Sequence, residues 1–242
     1  MKKCRLCGKE EKLTFEHVPP KVAFNDQMKK TVRAKDSIDI IVGSKTFDEI
    51  DGYSRKGQTF KTLCKSCNNF LGAEYVPEYS SLAINLMDSY KREGELPKVG
   101  TGYYIEIPIK PLNFLKQVLS MFCSIVSEEA NEEFDFKEFI LDKKQKGEFS
   151  KKYKVGMYGF VGKTAFMGGP SVSVDMESGK IHQVVNIEHI PFGFMLVDKE
   201  FEFSDGIADL QELAKCDYNQ ELKTRFEFGI FGIMEPMNMF RK

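Results

Sequence analysis

The sequence predicts an α+β protein in two parts, residues 1–95 and 96–242. Three observations carry this reading. Two Cys-x-x-Cys turns, Cys4-Arg5-Leu6-Cys7 and Cys64-Lys65-Ser66-Cys67, bracket the first part. Leu115, Val118, Leu119, Phe122, Ile125 and Val126 recur at spacings of three and four, the mark of a buried helix. From Tyr153 onward the texture turns to short β runs punctuated by turn residues. Gly94 to Gly102 mixes Gly, Pro and charge and marks the boundary.

Taken in order, residues 2–7 read as a short strand or knuckle, with Gly8 where the chain must turn. Lys9 to Lys12 reads as a solvated turn. Leu13-Thr14-Phe15 is a strand ending at Glu16-His17-Val18, and Pro19-Pro20 sends the chain into a loop. Within 21–57, Ser37 to Val42 is β-branched enough for a strand, and Phe47 to Gly57 reads as a loop. Gln58 to Leu63 is a second strand running into Cys64. A helix starts near Cys67-Asn68, Pro77 breaks or restarts it, and Ser80-Ser81 caps the next one. That helix buries Leu82, Ile84, Leu86, Met87 and Tyr90.

In the second part, Tyr103 to Ile109 alternates as a strand and Leu112 to Val126 is the strongest helix. Strands follow at Lys154–Phe160, Thr164–Met167, Ser171–Asp175, Ile181–Ile190, Phe192–Val197 and Arg225–Ile233, with a short helix at Leu210–Lys215. The second part is a helix plus an antiparallel sheet.

Composition narrows the function. Hydrophobic residues make up 42% of 242, with 21 Phe and no Trp, enough for an ordinary core. With 35 basic and 36 acidic residues the net charge is −1, which argues against a cationic surface over the whole protein. A local basic stretch remains: Lys21, Lys29, Lys30, Arg33 and Lys35, then Lys45, Arg55 and Lys56, reads as a phosphate-contacting loop. No apolar run approaches the roughly 20 residues of a spanning helix. No apolar run follows the basic N-terminus either, so the expectation is a cytoplasmic protein without a membrane partner.

In that compartment, cysteines are metal ligands or free thiols rather than disulfides. Cys123 and Cys216 stand alone among apolar neighbours and read as small buried residues. The two knuckles supply Cys4, Cys7, Cys64 and Cys67, a tetrahedral sulfur set for a structural zinc. A redox dithiol would sit in a βαβ pattern, which neither pair has. Such a zinc is coordinatively closed, so chemistry belongs beside it.

Beside it stand Glu16, His17 and Asn68. If strands 13–18 and 58–63 pair and the helix from Cys67 crosses them, the three converge. A carboxylate and an amide oxygen suit Mg²⁺ or Mn²⁺, and a neutral imidazole next to them takes a proton from water. His182 and His189 have no cysteine nearby and read as structural or surface residues, although Glu188 precedes His189.

The set Cys4-x-x-Cys7, Glu16-His17-Val18-Pro19-Pro20 and Leu63-Cys64-Lys65-Ser66-Cys67-Asn68-Asn69 resembles the HNH endonucleases. These are the ββα-metal (His-Me finger) nucleases with a zinc-clipped, treble-clef-like core. The resemblance covers residues 1 to about 75. It implies that His17 is the general base and that Glu16 and Asn68 hold the catalytic metal, with Asn69 a weaker candidate on another side of the helix. The chain has Glu16 where the family often has Asp, and Leu71 where a Lys is common. The family's middle Asn is not obvious, and Gln58 or Thr59 stands where it would orient the His17 loop. Leu115 to Phe122 and Ile190 to Phe194 resemble uncharacterised bacterial HNH proteins of this size, some suspected in phage defence.

The expected function is thus a metal-dependent endonuclease hydrolysing phosphodiester bonds of DNA, an antiviral defence effector by that resemblance. RNA is not excluded as substrate. Residues 96–242 would serve as sensor, substrate-binding or dimerisation unit, with a homodimer or a partner protein in view. The alternative is a non-catalytic treble-clef zinc module that binds nucleic acid or protein, in which His17 only packs.

Overall fold

The structure is a computed structural model and describes residues 2–26, 29–30, 53–54, 57–162, 165–174 and 179–232. The strand expected over 37–42, residues 47–52, 55 and 56 of the loop expected over 47–57, and the side chains of all the basic loop residues except Lys21 lie outside the described residues, while Tyr53–Ser54 within that loop form a short strand. The fold is α+β, with antiparallel pairs and one mixed sheet.

The N-terminal part is built on short antiparallel pairs. β1 (Lys2–Lys3) pairs with β2 (Glu10–Glu11), so 9–12 is half strand rather than wholly solvated turn. The reason is the knuckle: Gly8 N–H donates to Cys4 O and Cys4 N–H to Lys9 O, both at 2.8 Å, which folds 9–11 back onto 2–4. β3 (Leu13–His17) pairs with β6 (Thr59–Cys64), with Leu13 opposite Cys64 and His17 opposite Thr59. Lys61 and Thr62 together face Phe15, an irregularity that twists the ladder beside the site. Between them β4 (Lys29–Lys30) pairs with β5 (Tyr53–Ser54).

α1 (Lys65–Glu74) leaves β6 without a linker, and Tyr75 separates it from α2 (Val76–Arg92). Pro77 stands in the first turn of α2, where its missing N–H costs nothing. The expected Ser80–Ser81 cap is therefore mid-helix, with Ser80 buried. Leu82, Leu86 and Tyr90 are buried as expected, while Ile84 faces out.

β7 (Gly102–Ile109) leads into α3 (Pro111–Ile125), followed by α4 (Glu128–Glu132) and α5 (Lys137–Leu141). Then come β8 (Tyr153–Phe160), β9 (Phe166–Val174), β10 (Ile181–His189), β11 (Phe192–Asp198), β12 (Ala208–Asp209), a 3-10 turn over Gln211–Lys215 and β13 (Leu222–Phe231). The sheet order is β7-β13-β8-β11-β10-β9, with β12 also on β8. Its pairs are antiparallel except β13 with β8, where Ile230 and Phe231 run parallel to Gly159 and Phe160. The two runs expected at 164–167 and 171–175 are one strand. Gly168-Gly169-Pro170 lie between the two expected runs. β9 is an edge strand that bulges at this point against β10, and there a proline disturbs no inner ladder.

α3 is the hub. All its residues but Ile125 are buried, including the polar Asn113, Lys116, Gln117, Ser120 and Ser124. On one side Phe114 meets Phe192, Phe194 and Phe226 of the sheet and Tyr79 of α2, at ring distances of 5.9 to 6.4 Å. On the other side α3 packs against β6 and α1. One apolar cluster consequently runs from Cys4 and Leu6 through Leu119 and Phe122 to Ile230. At about 1.5–3 kcal/mol for each fully buried large side chain, this seam dominates the packing between the two parts. The far face of the sheet carries a small second cluster of Val184, Met195, Val197 and Phe201.

Candidate functional site: a four-thiol cluster and the pocket beside it

The cysteines meet because the backbone brings them. Cys4 and Cys7 lie on the first knuckle, held to β6 by Arg5 N–H donating to Thr62 O at 3.0 Å. Gly8 adopts φ 73°, a conformation that a side chain disfavours. Cys64 ends β6 and Cys67 lies in the first turn of α1. All four Sγ atoms lie within 4.8 Å of one another, and Cys7 and Cys64 are 3.8 Å apart. Tetrahedral zinc with Zn–S near 2.3 Å would space its sulfurs by about 3.8 Å.

Charge fits as well. The Cys67 thiol donates to Cys4, which pulls the Cys4 thiol down, and the same contact pushes Cys67 up. Cys64 N–H adds a hydrogen bond to Cys4 Sγ at 3.3 Å, and Ser66 Oγ lies 3.1 Å from Cys64 Sγ. Four thiols this close cannot all ionise without a cation among them. The cluster could hold a metal ion such as zinc.

Asn68 follows the last cysteine on α1. Its Nδ2 donates to Thr14 Oγ1 at 3.1 Å and to Phe15 O at 3.0 Å, and Thr14 Oγ1 in turn donates to Leu63 O. The amide nitrogen is thus spent on the hairpin, which leaves Oδ1 as the acceptor. Asn69 is exposed and does not line the pocket described below.

Glu16 is 7% exposed. The Thr62 hydroxyl donates to its Oε1, while Oε2 is buried without a hydrogen-bond partner. Burial raises its pKa, opposed by the hydroxyls of Thr62 and Ser124. His17 is half-buried at the end of β3.

Gln58 and Thr59 do not orient the His17 loop through their side chains. Asn25, which is fully buried, does so. Its Nδ2 donates to Pro19 O at 2.7 Å and to Gln58 O at 3.0 Å, and Gln58 N–H donates back to its Oδ1 at 2.7 Å. Gln58 O also accepts from Val18 N–H. Gly57 makes room for this clamp: it holds φ 82°, and a Cβ there would come within 2.1 Å of Asn25 O.

Glu16, His17 and Asn68 line one cavity of about 180 Å³. Exposed Lys21 is at its edge, and α3 contributes a wall through Gln117, Ser120, Met121 and Ser124. Sequence reasoning missed this wall. A signal existed: Asn113, Gln117, Ser120 and Ser124 form a polar stripe at helical spacing on a strongly apolar helix. It reads as a solvated face, yet all four are buried.

Arg5 was missed too. From inside the first knuckle its guanidinium donates to Ser124 O at 2.9 Å and to Val126 O, which caps the C-terminus of α3. His182 and His189 are both buried and do not line this pocket, His182 Nδ1 lying 3.5 Å from Asp198 and His189 Nδ1 2.9 Å from Ile190 O. No helix among the described residues is long and apolar enough to cross a membrane. In comparisons with protein-family models, curated proteins and solved structures the chain finds no match, so its function has to be argued from this pocket and the thiol cluster beside it.

Proposed function

We propose that the protein is a metal-dependent endonuclease that hydrolyses phosphodiester bonds of DNA, with a zinc-clipped ββα core over its first part. The supporting observation is the convergence of Glu16, His17 and Asn68 on one cavity, directly against a four-thiol cluster that would carry the structural zinc.

Glu16 offers a carboxylate oxygen without a hydrogen-bond partner, and Asn68 an amide oxygen whose nitrogen is already occupied. This is a hard, oxygen-rich donor set of the kind Mg²⁺ or Mn²⁺ takes. Bound there, such a cation would polarise the scissile phosphate and neutralise the charge on the leaving oxygen. His17 takes the proton of the attacking water on a ring nitrogen. The Asn25 clamp fixes the loop just after His17, so the imidazole is oriented before substrate arrives. Lys21 at the cavity edge contacts a phosphate through its charge.

The test is a plasmid-nicking assay on zinc-loaded protein with added Mg²⁺ or Mn²⁺. Parent protein converts supercoiled to open-circular DNA, and His17→Ala, with zinc and melting temperature retained, loses at least about a hundredfold in rate. His17→Ala cutting as fast as parent defeats the base assignment. A parent that binds DNA but never nicks it, under any divalent ion, leaves the chain a binding module. Cleavage of single-stranded RNA in place of the plasmid would change the substrate and keep the site.

A further inference from the structure

One wall of the cavity belongs to α3, in the second part of the chain, and it carries an unmet demand. Gln117 is 4% exposed and lines the cavity, and its Oε1 is buried without a hydrogen-bond partner. Glu16 Oε2, on the hairpin side of the same cavity, is in the same condition. Both atoms are acceptors. Two buried acceptors in one cavity each forfeit their hydration unless a donor or a cation serves them.

The donors close by are largely committed, and the Ser124 hydroxyl, also on the cavity wall, already acts on the Glu16 carboxylate. The Thr62 hydroxyl serves Glu16 Oε1, and the Ser120 hydroxyl donates to Gln117 O at 2.7 Å. Asn68 Nδ2 is held by Thr14 and Phe15, and Arg5 Nη1 by Ser124 O and Val126 O. A phosphate that reached these two atoms without a cation would meet only acceptors there and be repelled. An amide oxygen and a carboxylate oxygen from two residues that line one cavity suit a divalent cation with several oxygen ligands.

We propose that Gln117 is an inner oxygen ligand of the catalytic divalent cation, so that α3 completes a coordination set which the hairpin and α1 supply only in part. This rests on the endonuclease reading above and extends it: the second part of the chain contributes to the metal site itself. It also gives Arg5 a reason, since it fixes the end of the helix that carries Gln117.

The experiment is Mn²⁺ titration of the zinc-loaded full chain, with free Mn²⁺ followed by electron paramagnetic resonance, alongside the nicking assay. Gln117→Met keeps the volume and removes the oxygen, and weakens Mn²⁺ binding at least about tenfold. Gln117→Glu restores the oxygen with added charge and binds Mn²⁺ as tightly as parent or tighter. His17→Ala leaves Mn²⁺ affinity unchanged while abolishing nicking, which keeps the two proposals separable. Gln117→Met binding Mn²⁺ like parent overturns the ligand assignment and leaves the His17 reading standing. Equal loss in both Gln117 variants assigns Gln117 to packing and overturns it as well. A parent that takes up no Mn²⁺ beyond its zinc overturns both.

Discussion

The thiol cluster and the pocket next to it share β6, α1 and the β3 hairpin, yet they satisfy their polar atoms in opposite ways. In the cluster the sulfurs face each other, a backbone N–H and a hydroxyl, all within the N-terminal part. One ion would close it completely. In the pocket, Glu16 Oε2 and Gln117 Oε1 stay unserved, and the walls come from both parts of the chain. A closed set supplies stability and position, whereas an open one keeps its potential for whatever enters. The two sites are coupled through a short path: Cys67 precedes Asn68, and Arg5, between Cys4 and Cys7, caps α3.

Breaking the closed site has the largest effect. Structural zinc contributes on the order of 10 kcal/mol to domains of this kind. Because one apolar cluster joins both parts, Cys64→Ser lowers the melting temperature of the whole chain, by at least about 10 °C, in a single transition. Zinc content read with a chelating dye falls in parallel. A zinc-free variant that melts with the parent shows that the cluster contributes neither position nor stability.

The next effect comes from the clamp. Asn25→Ala leaves Pro19 O and Gln58 N–H without these partners, while Gln58 O keeps its bond from Val18 N–H. At about 1–3 kcal/mol for each buried group left unpaired, the cost is about 3 kcal/mol and about 6–12 °C in melting temperature. Nicking falls more than stability, because the loop after His17 is released. Gly57→Ala produces the same pattern, since its Cβ would displace Asn25. If either variant keeps full nicking, the clamp does not orient His17.

How much of this was legible in the sequence follows from the range of the interactions. The knuckles, the β3–β6 pair and α1 were readable because ligand spacing and strand period are local signals, and Glu16, His17 and Asn68 do line one cavity. The α3 wall was not. Gln117, Ser120 and Ser124 look solvated from periodicity, and only the packing of α3 between hairpin and sheet buries them. Asn25 escaped for a similar reason: a lone Asn in a loop has no pattern, and its importance lies in contacts 33 residues away. The Ser80–Ser81 cap failed because the helix already starts at Val76, with Pro77 in its first turn.

Arg5 tests the link between the sites at intermediate cost. Arg5→Met keeps the aliphatic stem and loses two charge-assisted bonds to helix-end carbonyls, about 1.5–3 kcal/mol. Zinc content stays at the parental level, while Mn²⁺ affinity weakens because the α3 wall shifts. Unchanged Mn²⁺ binding beside a lowered melting temperature would confine Arg5 to stability.

The smallest stability effect is the most informative about Glu16, because its sign separates structure from function. Burial holds its folded pKa above the ordinary value of 4.5. A carboxyl raised in this way costs nothing below its ordinary value, costs progressively more as pH climbs towards the raised one, and bears the full cost above it. Glu16→Gln can still accept from Thr62 and has no proton to lose. Without divalent cation it therefore melts higher than parent near about pH 8, and the gap narrows towards about pH 5. Adding Mn²⁺ reverses the order, because the parent gains the linkage term for binding the ion and the variant does not. Arg5 pulls the other way, since its charge favours an ionised Glu16. A variant that melts lower than parent near about pH 8 without cation would mean that Arg5 outweighs desolvation. Glu16 would then belong to the closed, structural site rather than to the open one.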